Sequence, residues 1–170
     1  MLRFFRTPGM TPSRVQAVAE IAARVVGRPI AALATEFCYY VETDGALEAE
    51  ESDILRYLLS ETFEPESFGP RSFLAESVAV VEYGPRLNFE TAWSSAAVEI
   101  CRRSGIKSVT RLERSVRIGL PVVLSDAQMD ELLEPLHDRM TEMRYLEPLT
   151  SFETGLTPQP VKIIPLLEEG

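Results

Sequence analysis

Two cysteines and one histidine are all that the 170-residue sequence offers of the usual zinc and thiol chemistry. Cys38 and Cys101 stand far apart with no CxxC spacing, and together with His137 they fall short of the four ligands a closed zinc site needs. The same scarcity excludes a disulfide-stapled miniprotein, and two free thiols fit a reducing cytoplasm. Long apolar runs are also missing. The longest are about five residues, as at 30–34, against the roughly 20 that a membrane helix requires. The opening MLRFFR lacks an apolar stretch of signal-peptide length, so a soluble, cytoplasmic chain is expected. GxxxxGK(S/T), GxGxxG, HExxH and GxSxG are all absent, which removes the common phosphate cradles and nucleophile turns. Positive charge is in deficit: 17 Lys and Arg against 26 Asp and Glu leave a net charge of −9, a poor match for nucleic acid or an anionic membrane surface.

What is present is a pattern that occurs twice. Residues 2–6 read as a short strand, stopped by Pro8-Gly9. Thr11 has the chemistry of a helix N-cap with Pro12 at the first helical position, where its missing N–H costs nothing. Val15, Val18, Ala19, Ala22 and Val25 follow at helical spacing, and Gly27 sits where a C-cap belongs. A strand over about 30–41 places Leu33, Phe37, Tyr39 and Val41 on one face. After Asp44-Gly45, a helix over 49–60 presents Ile54, Leu55, Leu58 and Leu59. The second half repeats the order: a strand over 77–83 broken at Gly84-Pro85, a helix capped by Ser94 and closed by Gly105, and a strand over 107–118. That strand has Leu112, Val116 and Ile118 on one face and Arg111, Glu113, Ser115 and Arg117 on the other. A last helix, capped by Ser125, carries Met129, Leu132, Leu133, Leu136, Met140 and Met143, with a kink at Pro135. Landmarks recur at a shift of about 76–83 residues, pairing Leu2 with Val78, Thr11 with Ser94 and Gly27 with Gly105.

The expected fold class is α+β: two pseudo-repeated β-α-β-α units of ferredoxin-like flavour, pairing into an antiparallel sheet with helices on one face. The repeat halves cover about 1–60 and 77–143 within a domain of 1–147. Residues 148–170 are Pro-rich and read as an extended tail, strand-like at 161–164, leading toward a linker and further chain.

Two segments stand out chemically. GPRLNFETAWSS (84–95) combines Arg86 with Phe89 and Trp93 and a Ser-rich helix start at Ser94. Trp and Arg are favoured interface anchors, and free N–H groups at a helix start attract anions; simple capping with the aromatics packed as a staple explains the segment equally. LHDRMTE (136–142) sets His137, Asp138 and Arg139 on the flank of the last helix, suited to docking or local ion pairs more than to proton transfer. The acids Glu48, Glu50, Glu51 and Asp53 at a helix start need no metal to explain them.

These two segments, with MLRFFRTPG, ATEFCYYVE, VTRLERSVR and the ending PVKIIPLLEEG, resemble the amino-terminal region of the large single-chain phosphoribosylformylglycinamidine synthases. The resemblance implies a domain like two copies of PurS, the separate small subunit of split forms of the enzyme. It implies purine biosynthesis: formylglycinamide ribonucleotide, glutamine, ATP and water give the amidine, glutamate, ADP and phosphate. The ATP and Mg²⁺ residues and the glutaminase triad of that family lie downstream, so this fragment would hold no catalytic residue, metal or cofactor. Its implied role is to dock the synthetase and glutaminase domains of the same enzyme, with Arg86, Phe89, Trp93, Ser94, His137, Asp138 and Arg139 as contact candidates. No nucleic acid or membrane partner is expected. The alternatives are a free-standing ferredoxin-like regulatory module binding a small metabolite, and a self-sufficient enzyme using His137 and Glu142.

Overall fold

The computed structural model describes residues 1–30, 33–60 and 64–155. The first unit is β1 (Leu2–Arg6), α1 (Pro12–Val26), β2 (Ala34–Thr43), α2 (Ala49–Ser60) and the two-residue β3 (Phe68–Gly69). The second is β4 (Ala79–Pro85), α3 (Ala92–Arg103), β5 (Val109–Leu120), α4 (Asp126–Leu133) and β6 (Glu142–Tyr145). The strands form one antiparallel sheet in the order β3-β1-β2-β5-β4-β6. Exchanging the two units leaves that order unchanged, so each unit is β-α-β-α-β, one strand longer than the pattern of landmarks predicted. The expected strand at 161–164 lies outside the described residues.

Local chemistry sets the ends of several elements. Thr11 accepts from Arg14 N at the start of α1, Pro12 opens that helix, and Gly27 ends it at φ 74°, a left-handed conformation that a Cβ disfavours. Ser125 and Gln128 form a reciprocal capping box at α4. At α3 the expectation is corrected: Thr91, not Ser94, is the N-cap, and Thr91 Oγ1 accepts from Ser94 N at 3.0 Å. Ser94 is one turn inside the helix and fully buried, where its hydroxyl accepts from Leu112 N at 3.3 Å.

The longest ladder joins the two units. β2 and β5 pair from Ala34↔Gly119 to Glu42↔Arg111, with Cys38 opposite Ser115 near the middle. One face of the sheet carries all four helices, and the way they share it is not the order of the chain. Val18 and Ala22 of α1 pack with Leu132 and Leu133 of α4 over Val81, Ile118 and Leu120. Leu55 and Leu59 of α2 pack with Val98 and Cys101 of α3 over Phe4, Tyr39, Val41 and Leu112. Each core is therefore built from one helix of each repeat.

Two further expectations change. Gly84-Pro85 does not break the strand. β4 runs through both, and Gly84 pairs with Met143 of β6. A Cβ at Gly84 would stand 2.9 Å from both Ser115 Cβ and Tyr145 Oη, so glycine allows the close approach. The last helix does not reach Met143. It ends at Leu133, and His137, Asp138, Arg139 and Met140 lie in turns before β6. Pro135 has no N–H to continue the ladder and its ring disfavours the helical turn before it, so it stops the helix where a kink was predicted. Asp138 then fixes the reversal, accepting from Met140 N at 2.8 Å and Thr141 Oγ1 at 3.1 Å.

Candidate functional site

Alternation along β2, β4 and β5 sends a second set of side chains to the face without helices. Glu36, Cys38 and Tyr40 of β2, Glu82 of β4, and Arg111, Glu113, Ser115 and Arg117 of β5 meet there. Glu36, Glu82 and Glu113 are all buried, which carboxylates tolerate only when paired and hydrogen-bonded.

Each of the three carboxylates has an arginine partner. The Arg117 guanidinium bonds Glu36 through Nη1, and its Nε sits 3.1 Å from Glu82 in an ion pair without hydrogen-bond alignment. Glu36 also accepts from Ser72 Oγ and Phe73 N, both at 2.7 Å, which ties the connection between the repeats to the sheet. Glu82 accepts from Tyr40 Oη at 2.8 Å and Ser115 Oγ at 2.5 Å. Glu113 accepts from Thr91 N and Oγ1 at 3.1 and 2.7 Å, and so holds the cap of α3. Arg111 bridges Glu113 to the carbonyls of Leu87 and Phe89, and its guanidinium stacks 4.3 Å over the ring of Phe152. Phe5, Tyr40, Tyr145 and Phe152 cover the rest of this face with Cys38. The network is a clamp on two loops, with each of the three carboxylates held by at least two fixed donors.

Burial has a titration consequence. Desolvation, with Glu82 close by, pushes the Cys38 thiol from 9.0 up to about 12. Desolvation raises the Tyr40 and Tyr145 phenols as well. A folded pKa above the unfolded value means that the unfolded chain loses its proton first, so stability is full below about pH 9 and declines above it. Cys38 alone contributes a slope of about 1.4 kcal/mol per pH unit over that window. Urea midpoints measured from pH 8 to 11 are expected to fall, and Cys38→Ala to flatten the fall.

The candidates from the sequence separate into two places. Arg86 meets the turn after α4: its Nε and Nη2 donate to Arg139 O at 3.0 and 2.8 Å, and its backbone N donates to Thr141 O. His137 is half-buried there, with Nδ1 2.6 Å from Leu133 O and its ring 6.0 Å from Tyr83. Arg139 makes an exposed ion pair with Glu134 at 2.8 Å. Arg86, His137 and Arg139, with Asp130, Glu142 and Arg144, line a polar cleft of about 350 Å³. Trp93 is elsewhere, stacked on Tyr39 at 6.1 Å over the helix face. Phe89 is half-buried and its carbonyl serves Arg111; Ser94 is buried and offers no outward contact. Among the described residues no group of three or more His, Cys, Asp or Glu converges as a metal cage. None of their helices is long and apolar enough to cross a membrane.

Nothing in the sequence marks Glu36, Glu82 and Glu113 as buried. The available signal was the polar alternation on β5 together with Glu36-x-Cys38-x-Tyr40 on β2, which marks a second face without saying that anything covers it.

Fold and site together define a duplicated α+β scaffold, whose buried charge is committed to holding its own loops. The family model for the formylglycinamide ribonucleotide amidotransferase N-terminal region matches residues 36–151, and the chain belongs to that family. It is 38% identical over its whole length to the probable phosphoribosylformylglycinamidine synthase, chloroplastic/mitochondrial, of Arabidopsis thaliana. It is 37% identical over 99% of its length to the phosphoribosylformylglycinamidine synthase of Dictyostelium discoideum, and 36% identical over 80% to that of Homo sapiens. The chain spans only 13% of the first two relatives and 11% of the human one.

Proposed function

We propose that this chain is the non-catalytic N-terminal part of a phosphoribosylformylglycinamidine synthase, and that it holds the glutaminase and synthetase domains of the same polypeptide in register. The observation that carries the reading is the coverage: the whole chain aligns, yet it accounts for 13% of relatives bearing that name. In this reading, formylglycinamide ribonucleotide, glutamine, ATP and Mg²⁺ are bound downstream. Ammonia freed from glutamine at one site must reach the other before it escapes to water, so fixed placement has catalytic value. The buried clamp suits the role, since a scaffold transmits position only if its loops are rigid. Free, buried Cys38 and Cys101 are compatible with a reducing compartment, and the cytoplasm is the proposed one. The proposed domain boundary remains near residue 147, with Leu149 and Phe152 beyond it still packed on the sheet.

The turn held by Arg86, with His137, Asp138 and Arg139, is the proposed contact for a neighbouring domain. Replacing Arg86 by Ala in the full-length enzyme removes two hydrogen bonds to the Arg139 carbonyl, worth about 1 kcal/mol, and should raise glutamine consumed per amidine formed by up to about fivefold. Turnover with free ammonia should persist. An unchanged glutamine-to-product ratio, with unchanged resistance of the domain junction to limited proteolysis, would count against the contact.

A further inference from the structure

The helices cover the two ends of their sheet face and leave its middle open. Phe37 and Val116 are register partners at the centre of the β2–β5 ladder, yet both are only half-buried. Val116 belongs to the edge of the α1–α4 core and Phe37 to the edge of the α2–α3 core, so the seam between the cores runs between them. A cleft of about 710 Å³ opens there, lined by Pro8, Met10, Arg14, Phe37, Tyr83 and Val116. Arg114, two residues along β5 on the same face, is outside that lining and packs on one of its walls, Phe37. Its guanidinium lies 4.3 Å over the Phe37 ring and 5.3 Å from the ring of Trp93, which is itself 38% exposed. Arg114 is exposed, and among the described residues no carboxylate pairs with it, although the chain carries 26 acids against 17 bases. Arg111 and Arg117, on the other face of the same strand, both have glutamate partners.

We infer that this seam is a docking seat for a segment from the remainder of the same polypeptide, one that lays apolar side chains on Phe37, Val116 and Met10 and sets a carboxylate against Arg114. The proposal rests on the scaffold reading above but concerns a different surface from the Arg86 turn. Two rings hold the cation in place and shield one side of it, which strengthens an ion pair formed on the other. The occupant is not the chain's own described end, because Phe152 lies across the sheet, against Arg111 on the face without helices. Most of the length of the relatives lies outside this chain, and an apolar opening at the centre of a sheet is a costly surface to leave wet.

The test uses the full-length enzyme. Phenylglyoxal labelling of native protein, read by mass spectrometry, is expected to modify Arg114 at least about tenfold more slowly than the exposed helix residues Arg102 and Arg103. In urea the three should react alike. Carbodiimide treatment of the Arg114→Lys enzyme should then join the introduced amine to one Asp or Glu downstream in the same polypeptide. Mixing isotopically labelled and unlabelled copies distinguishes that link from one between two molecules. Labelling of Arg114 as fast as Arg102 overturns the proposal. So does a link between copies, or the absence of any link, which removes the carboxylate even if labelling is slow. The link is read without reference to turnover, so its failure leaves the Arg86 experiment standing, and failure of that experiment does not touch the link.

Discussion

Arg117→Ala is expected to lower the unfolding free energy by about 3–5 kcal/mol, the range for breaking a buried ion pair by removing one partner. The guanidinium is the shared counter-charge for Glu36, which has no solvent-exposed surface, and for Glu82, which is nearly as buried. Deleting it leaves two buried carboxylates with neutral donors only: Ser72 and the Phe73 N–H on one, Tyr40 and Ser115 on the other. Lysine is not a substitute, because a single ammonium cannot span both acids as the planar fork does. The loss should shrink when the charge is removed from both sides. Arg117→Met combined with Glu36→Gln is expected to cost less than the two single changes added together, since only Glu82 and no longer Glu36 is then left as a buried charge without its cation. Urea unfolding of the four proteins closes the cycle. A loss below about 1 kcal/mol for Arg117→Ala would place the pair among solvated surface bridges and remove the clamp from the account of rigidity.

Separating the repeats should have a larger effect still. Polypeptides 1–75 and 76–155 are each expected to lack a cooperative unfolding transition, and to recover one when mixed. The reason is the cross-packing of helices. In the first half alone, Val18 and Ala22 lose Val81, Ile118, Leu120, Leu132 and Leu133; in the second, Val98 and Cys101 lose Phe4, Tyr39, Leu55 and Leu59. Each buried side chain of this size contributes about 1.5–3 kcal/mol, while whole domains are stable by only about 5–15 kcal/mol. The β2–β5 ladder is lost in the same cut, exposing two long edges. Circular dichroism with thermal melting decides the matter: a cooperative transition in either half alone would show that a repeat is a self-sufficient unit.

Much of this architecture was legible in the order of residues. Thr11-Pro12 and Gly27 frame α1 because capping is settled within one turn of chain. Ser125 starts α4 for the same reason. The α+β class and the doubling followed from periodicity and the recurrence of elements. The errors fall where a local rule met a distant partner. Gly84-Pro85 looks like a break until β6 arrives to pair with it. Ser94 looks like a cap until Leu112 buries it. The run 134–143 has helical spacing, and Pro135 decides against it because the released segment can add a strand to the sheet edge. His137 and Arg86, 51 residues apart in sequence, came to one turn by this route.

Elements, caps and the in-and-out alternation of the central strands were settled by the sequence itself, since each depends on neighbours within a few residues. The tertiary structure alone decided that α1 meets α4 and α2 meets α3, that Glu36, Glu82 and Glu113 are buried, and that the centre of the sheet stays open beside Arg114. Burial, charge pairing and vacancy are properties of surfaces brought together from far along the chain. No window of adjacent residues contains them.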